Sequence, residues 1–145
     1  MTVADKATAQ PVLSPAAHRF LDGPRFAIVA TLNPDGSPLQ AVVWYGLEGD
    51  VVVFTSRVGR RWPTNLVRDP RVSVTVADGY DYVEMRGEVE IDEDPAQSQR
   101  VNADLTHRYQ RDPSVAAAWI ASSEKERRMT LRLRPSSVFE RLAGR

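Results

Sequence analysis

Beyond Arg25 the apolar residues recur mainly at every second position, in short runs cut by turn residues, and this restricts the chain to a mostly β fold. Phe26, Ile28, Ala30 and Leu32 fall on one face of the first run and Ala27, Val29 and Thr31 on the other, which predicts a strand buried on both sides. Pro34-Asp35-Gly36-Ser37 predicts a hairpin turn. The next run sets Leu39, Ala41, Val43, Tyr45 and Leu47 against Gln40, Val42, Trp44 and Gly46. After Glu48-Gly49-Asp50 a third strand, Val51 to Thr55, completes an expected meander. Val72, Val74 and Val76 alternate with polar residues. So do Val83, Met85, Gly87, Val89 and Ile91, then Met129, Leu131 and Leu133, before a last run from Val138 to Leu142. Six or seven short antiparallel strands, two of them apolar on both faces, are best satisfied by a small barrel that leaves few exposed edges.

Helices punctuate this pattern. Ser14 offers an N-cap and Pro15 a first helical position for a short helix carrying Ala17, Phe20 and Leu21. A second starts near Pro63 and must end at Asp69-Pro70. Asp94-Pro95 opens the longest, with Val101, Leu105 and Tyr109 as its buried stripe. Asp112-Pro113 opens another that carries Val115 and Trp119. Residues 1–13 have no periodicity and are expected to form a tail, leaving 14–145 as a single domain, the number that 145 residues accommodate.

The chain has no cysteine, which excludes disulfides, thiolate metal sites and cysteine nucleophiles. No secretory signal and no apolar span is visible, so a cytoplasmic location without membrane insertion is expected. A formal net charge of zero argues against nucleic acid as the partner. His18 and His107 lie on expected helices without metal-ligand spacing or a nearby nucleophile, and no metal site is expected. Glu84, Glu88 and Glu90 alternate on one strand face, the pattern of a solvated surface.

The segment from Thr55 to Leu66 is chemically different. A strand ends in two hydroxyls, Thr55 and Ser56, and passes through Arg57, Gly59, Arg60 and Arg61 into a helix whose free N-terminal amides favour an anion. These are the ingredients of a phosphate site, and equally of a basic solvated loop. Trp44, on the face opposite Val43 and Tyr45, is the better candidate for lining a cofactor or substrate cleft. Trp62 reads more simply as an anchor into the core or an interface, and Trp119 as packing or interface.

The runs ATLNPDGSPLQAVVWYGLEGDVVVFTS, RRWPTNLVRDPRVSVTV and YVEMRGEVEI resemble the FMN-binding split-barrel superfamily related to pyridoxamine 5′-phosphate oxidase. Within it they are most similar to the flavin/deazaflavin oxidoreductases that use coenzyme F-420. The resemblance covers about Phe20 to Arg134. It implies a homodimer with two cofactor sites at the subunit interface, and hydride exchange with a small conjugated organic substrate. The cofactor phosphate would be held by Thr55, Ser56, Arg60 and Arg61, with Trp62 and Asn65 beside them. The ring would be backed by the second strand from Gln40 through Val42 and Val43 to Trp44. Deazaflavin-binding relatives commonly carry lysine where this chain has Trp62, so FMN stands as the alternative to F-420. A non-catalytic flavin- or haem-binding split barrel is the competing class, and no catalytic acid is identifiable.

Overall fold

One strand of twelve residues organises the whole sheet. In the computed structural model, which describes residues 13–143, this strand, β6 (Asp81–Asp92), is preceded by α1 (Pro15–Asp22), β1 (Ala27–Leu32), β2 (Pro38–Val43), β3 (Gly46–Glu48), β4 (Val51–Arg57), α2 (Arg61–Arg68) and β5 (Arg71–Asp78). It is followed by α3 (Pro95–Tyr109), α4 (Pro113–Ser123), β7 (Arg128–Leu133) and β8 (Ser137–Arg141). All pairings are antiparallel and follow the order β2-β1-β5-β6-β7-β4-β3, with β8 added to β6. The first half of β6 pairs with β5 and β8, and its second half with β7. Gly87 marks the changeover. A Cβ there would come within 3.0 Å of the Leu133 side chain and 3.3 Å of backbone atoms of Arg134 and Ser136. Only a residue without a side chain lets the two halves of the sheet fold this closely past each other. The result is a curled, split barrel of eight strands among the described residues, one or two more than the sequence pattern predicts.

The additional strand comes from a break that alternation does not reveal. The run expected to continue from Leu39 to Leu47 stops at Trp44 and Tyr45. β2 pairs with β1 at one end of the strand order, and β3 pairs with β4 at the other. The expected three-stranded meander is therefore two hairpins at opposite edges of the sheet. Tyr109 holds the break: its hydroxyl accepts from the Tyr45 amide at 3.3 Å and meets the Tyr45 carbonyl at 3.2 Å. Backbone groups that a continuous ladder would have satisfied find a side chain instead.

Val29, Val74, Val76, Val83, Met85, Phe54 and Leu131 fill the barrel interior as the period-two pattern predicts. The outer face of β1 departs from expectation. Ala27, Val29 and Thr31 are buried, but Phe26 and Ile28 remain 59% and 39% exposed, because no element among the described residues covers that side. Leu13, assigned to the tail, belongs to the core beside Ala17 and Leu21, while residues 1–12 lie outside the described residues. Thr130 is buried although its strand neighbours face the barrel interior, because α3 covers that second face and Ser98 meets its hydroxyl at 3.0 Å. Among the described residues no helix is long and apolar enough to cross a membrane.

Tyr45 closes the base of the molecule. Its hydroxyl is shared between the carbonyls of Leu21 and Gly23 at 2.7 and 3.0 Å, where α1 ends, and the Arg108 guanidinium donates to the same carbonyls. Burial, reinforced by Tyr109, pushes the Tyr45 phenol up to about 12. A phenol near its ordinary value of 10 in the unfolded chain ionises first, so the unfolded state binds fewer protons above pH 10 and stability falls as pH rises toward 12. Urea unfolding at pH 9 and pH 11 is expected to show a loss of about 1 kcal/mol from this group. In Tyr45→Phe that increment is absent, and stability at pH 7 is lower by about 1 kcal/mol through the lost hydrogen bonds.

Candidate functional site

A cleft of about 540 Å3 opens between the end of β4, the start of α2, the turn at Val42–Trp44 and the α3–α4 pair. One end is cationic. Arg57 and Arg60 approach from β4 and the loop after it, and Arg128 from the first position of β7, which pairs with Arg57 across the sheet. Glu126 is the single carboxylate among them, 2.6 Å from Arg128 and 3.5 Å from Arg57. Two guanidiniums thus share one counter-ion, and Arg60 lines the same end of the cleft. Burial pulls the Arg128 guanidinium below the usual arginine value, Glu126 opposes this, and Arg60 and Arg57 add to it. A guanidinium stays charged under such shifts, so the surplus positive charge remains available to an anion.

The adjoining helix start adds donors. Arg60 is the N-cap of α2 and makes no side-chain capping bond, and the first turn contains no acidic residue. The amides there are left for a ligand or water. Thr55 and Ser56 both line the cleft. Thr55 donates to the carbonyl of Met129 at 3.2 Å and accepts from Arg128 at 3.3 Å, so its hydroxyl also fixes the arginine.

The opposite end is aromatic. Trp44 stacks on Tyr109 at 5.0 Å with the rings 4° from parallel, Tyr109 on Phe26 at 5.8 Å, and Trp119 lies over Trp44 at 6.2 Å and 26°. Between the two ends α3 presents a polar strip that one helical face supplies at four-residue spacing: Ser98 against Thr130, then Asn102 and Thr106 into the cleft. Asn102 donates to Ser123 Oγ at 2.8 Å, and Ser123 in turn donates to the Ile120 carbonyl at 2.7 Å. With the serine proton committed, the Asn102 group facing it must be its NH2. Among the described residues nothing donates to Asn102 Oδ1, and this atom is not enclosed, so the cleft holds a lone acceptor on a residue only 6% exposed.

The cleft gathers Val42, Val43, Trp44, Thr55, Ser56, Arg60 and Trp62 from the residues that sequence reasoning named. Gln40 points outward from β2 and lies outside it. Arg61 and Asn65 line a second, more open cleft beside Asp35 and Arg68. Asn65 is tied there to Thr31 Oγ1 and Asn33 Oδ1, both at 3.1 Å. Arg60 is the extended N-cap residue of α2 and Arg61 its first helical residue, and their side chains enter different clefts. Trp62 is buried edge-on against Phe54, the anchoring role its position predicts, with one side on the cleft. Trp119, expected to serve packing or an interface, lines the cleft. Arg57 belongs to the basic loop that the sequence singled out, whereas Glu126, Arg128, Asn102, Thr106 and Ser123 were not anticipated. The spacing of Ser98, Asn102 and Thr106 was a usable signal, whereas the meeting of Arg128 with Arg57 needs the strand register. His18 and His107 lie away from the cleft, and the described residues hold no cluster of metal-ligating side chains.

This fold and cleft have counterparts. The chain matches the pyridoxamine 5′-phosphate oxidase family model over residues 13–141. It belongs to that family. Among solved structures, a conserved hypothetical protein from Mycobacterium tuberculosis is 26% identical, with a TM-score of 0.75 over 92% of this chain and 89% of that one. An F420 reductase is 28% identical, with a TM-score of 0.67 over 84% and 94%. A haem storage protein from Vibrio cholerae, 16% identical with a TM-score of 0.69 over 90% and 95%, shares the fold alone. No curated protein matches the sequence. Pyridoxamine 5′-phosphate oxidase-type split barrels are flavin and deazaflavin binders, and the cleft has the donor set such a group needs: an anion-binding end, a polar middle and an aromatic end.

Proposed function

We propose that this chain is a cytoplasmic, homodimeric oxidoreductase that binds coenzyme F-420, with FMN as the alternative, and exchanges hydride with a small conjugated organic substrate. The observation that carries the reading is the division of the cleft: three guanidiniums around one carboxylate at one end, stacked aromatic rings at the other. Bound there, either cofactor supplies a ring that gives or accepts hydride. The chain itself binds and orients. Arg57, Arg60 and Arg128 hold the phosphate by charge-assisted bonds, helped by the uncapped amides of α2. Asn102, which lines the cleft, would offer its Oδ1 as an acceptor to a hydroxyl of the cofactor. Val42, Val43 and Trp44 back the ring.

A second copy of the chain fits the open side. Ile28 and Val42, paired on adjacent strands, and Phe26 just before the first of them stand 39%, 69% and 59% exposed, an apolar face that a partner would bury while excluding water from the cleft. The 28% identical F420 reductase favours the deazaflavin, whereas Trp62 in place of lysine keeps FMN in play. Haem is less well served, because none of the described residues lining the cleft is His, Cys or Met, and the Tyr109 hydroxyl at its aromatic end is taken up by backbone groups of Arg25 and Tyr45.

Tryptophan-fluorescence titration with F-420 and FMN in parallel is the test. Saturable F-420 binding at one site per chain, in a protein that sediments as a dimer, is the expected result. Preference for FMN moves the protein to the oxidase side of the family, and binding of neither overturns the reading.

A further inference from the structure

We infer that Ser123 is a positioning residue that makes the middle of the cleft accept hydrogen bonds and not donate them, so that the site selects a ligand with a hydroxyl there and rejects one with only an acceptor. The side-chain protons along this stretch are spent inside the protein. At the end of α4 the Glu124 amide turns to the Ala121 carbonyl at 3.3 Å, which leaves the Ile120 carbonyl without the amide that would ordinarily serve it. The Ser123 hydroxyl takes that place at 2.7 Å. With its proton so committed, Ser123 Oγ is left to accept from Asn102 Nδ2, which it does at 2.8 Å. Turning the amide over would set two acceptors face to face at that distance. Asn102 is therefore held with its NH2 on Ser123 and Oδ1 toward the cleft.

Thr106 adds to the same polarity. Its hydroxyl donates to the Asn102 carbonyl at 2.7 Å, so lone pairs are what it has left for the cleft it lines. Thr106 and Ser123 are 2% and 8% exposed, and side chains so enclosed have little room to re-orient. A ligand hydroxyl finds an acceptor here, whereas a ketone, ether or carboxylate oxygen gives up its water and meets lone pairs. The arginines at one end donate and the α3 strip accepts, so a molecule with an anion followed by a hydroxylated chain fits in one direction. Ser123 does not dock α4 through its hydroxyl alone. Gln99 Nε2 donates to its main-chain carbonyl at 3.2 Å, a bond that survives loss of the side chain.

The polarity of the strip stands on these hydrogen bonds alone. That the hydroxyl belongs to the chain linking ring and phosphate rests on the flavin-type reading above, and the experiment separates the two. Hydrogen exchange of the Asn102 side-chain amide is followed by NMR in the wild-type protein, Ser123→Ala and Ser123→Thr, and a thermal melt of each checks its fold. Calorimetry on the same three proteins compares whichever of F-420 and FMN binds with analogues in which one linking-chain hydroxyl is replaced by fluorine, which is of similar size and cannot donate. The Asn102 amide protons should exchange at least about tenfold faster in Ser123→Ala than in wild type. One fluoro analogue should bind about tenfold or more weakly than its parent in wild type and Ser123→Thr, and within about threefold of it in Ser123→Ala.

Asn102 exchange that is the same in wild type and Ser123→Ala overturns the proposal, as do fluoro analogues that all bind wild type as tightly as the parent. A fluorine penalty that persists undiminished in Ser123→Ala overturns it too, by taking the selection away from Ser123. Slow Asn102 exchange that depends on Ser123, in a protein that takes neither F-420 nor FMN, supports the positioning role and sinks the functional reading instead.

Discussion

Alanine at both Arg60 and Arg128 is expected to weaken binding of a phosphate-bearing flavin or deazaflavin at least about a hundredfold. Each guanidinium contributes a charge-assisted bond of about 1.5–3 kcal/mol to a phosphate, so the loss of two gives about 3–6 kcal/mol. The direction rests on the charge count at that end of the cleft, where Arg57, Arg60 and Arg128 face only Glu126. Glu126 supplies the complementary variant. Its carboxylate accepts from the Arg128 guanidinium at 2.6 Å and competes with any incoming anion. Glu126→Gln keeps the shape and removes the charge, and should tighten phosphate-bearing ligands several-fold. Isothermal titration at two salt concentrations checks both effects, because contacts of this kind weaken as ionic strength rises. An Arg60→Ala/Arg128→Ala protein that binds as tightly as wild type would show that the cationic end is not the phosphate site.

Phe54→Ala is expected to cost about 3–5 kcal/mol, a large part of the 5–15 kcal/mol that holds a domain of this kind together. Phe54 is 1% exposed on β4, and its ring packs edge-on against Trp62 with centroids 6.3 Å apart and planes at 75°. The cavity left by its removal lies directly under the helix start that carries Arg60. Stability and ligand binding should therefore fall together. Urea denaturation measures the first. Val67→Ala, on the exposed face of the same helix, is the control and should stay within about 0.5 kcal/mol of wild type.

Much of this protein was written in local pattern. Alternation placed Val29, Val74, Val83, Met85 and Leu131 inside the barrel, because a strand's side chains alternate whatever they pair with. Ser14, Asp94 and Asp112 marked three helix starts, since capping is a contact within one turn of chain. The arginine loop after Thr55-Ser56 was legible as an anion-binding element for the same reason. What local pattern does not contain is which strands become neighbours. The split of Leu39–Leu47 into β2 and β3 depends on Tyr109, 64 residues away from Tyr45. The pairing of Arg57 with Arg128 depends on the register of β4 with β7, and the stacking of Trp119 on Trp44 on how α4 docks on α3. Sequence by itself determined the elements, the core face of each strand and the basic loop, because those follow from periods and contacts within a few residues. Only the tertiary structure decided which arginines share Glu126, that Gln40, Arg61 and Asn65 lie outside the cleft, and where the aromatic rings meet, because these are contacts between segments whose separation along the chain carries no local signal.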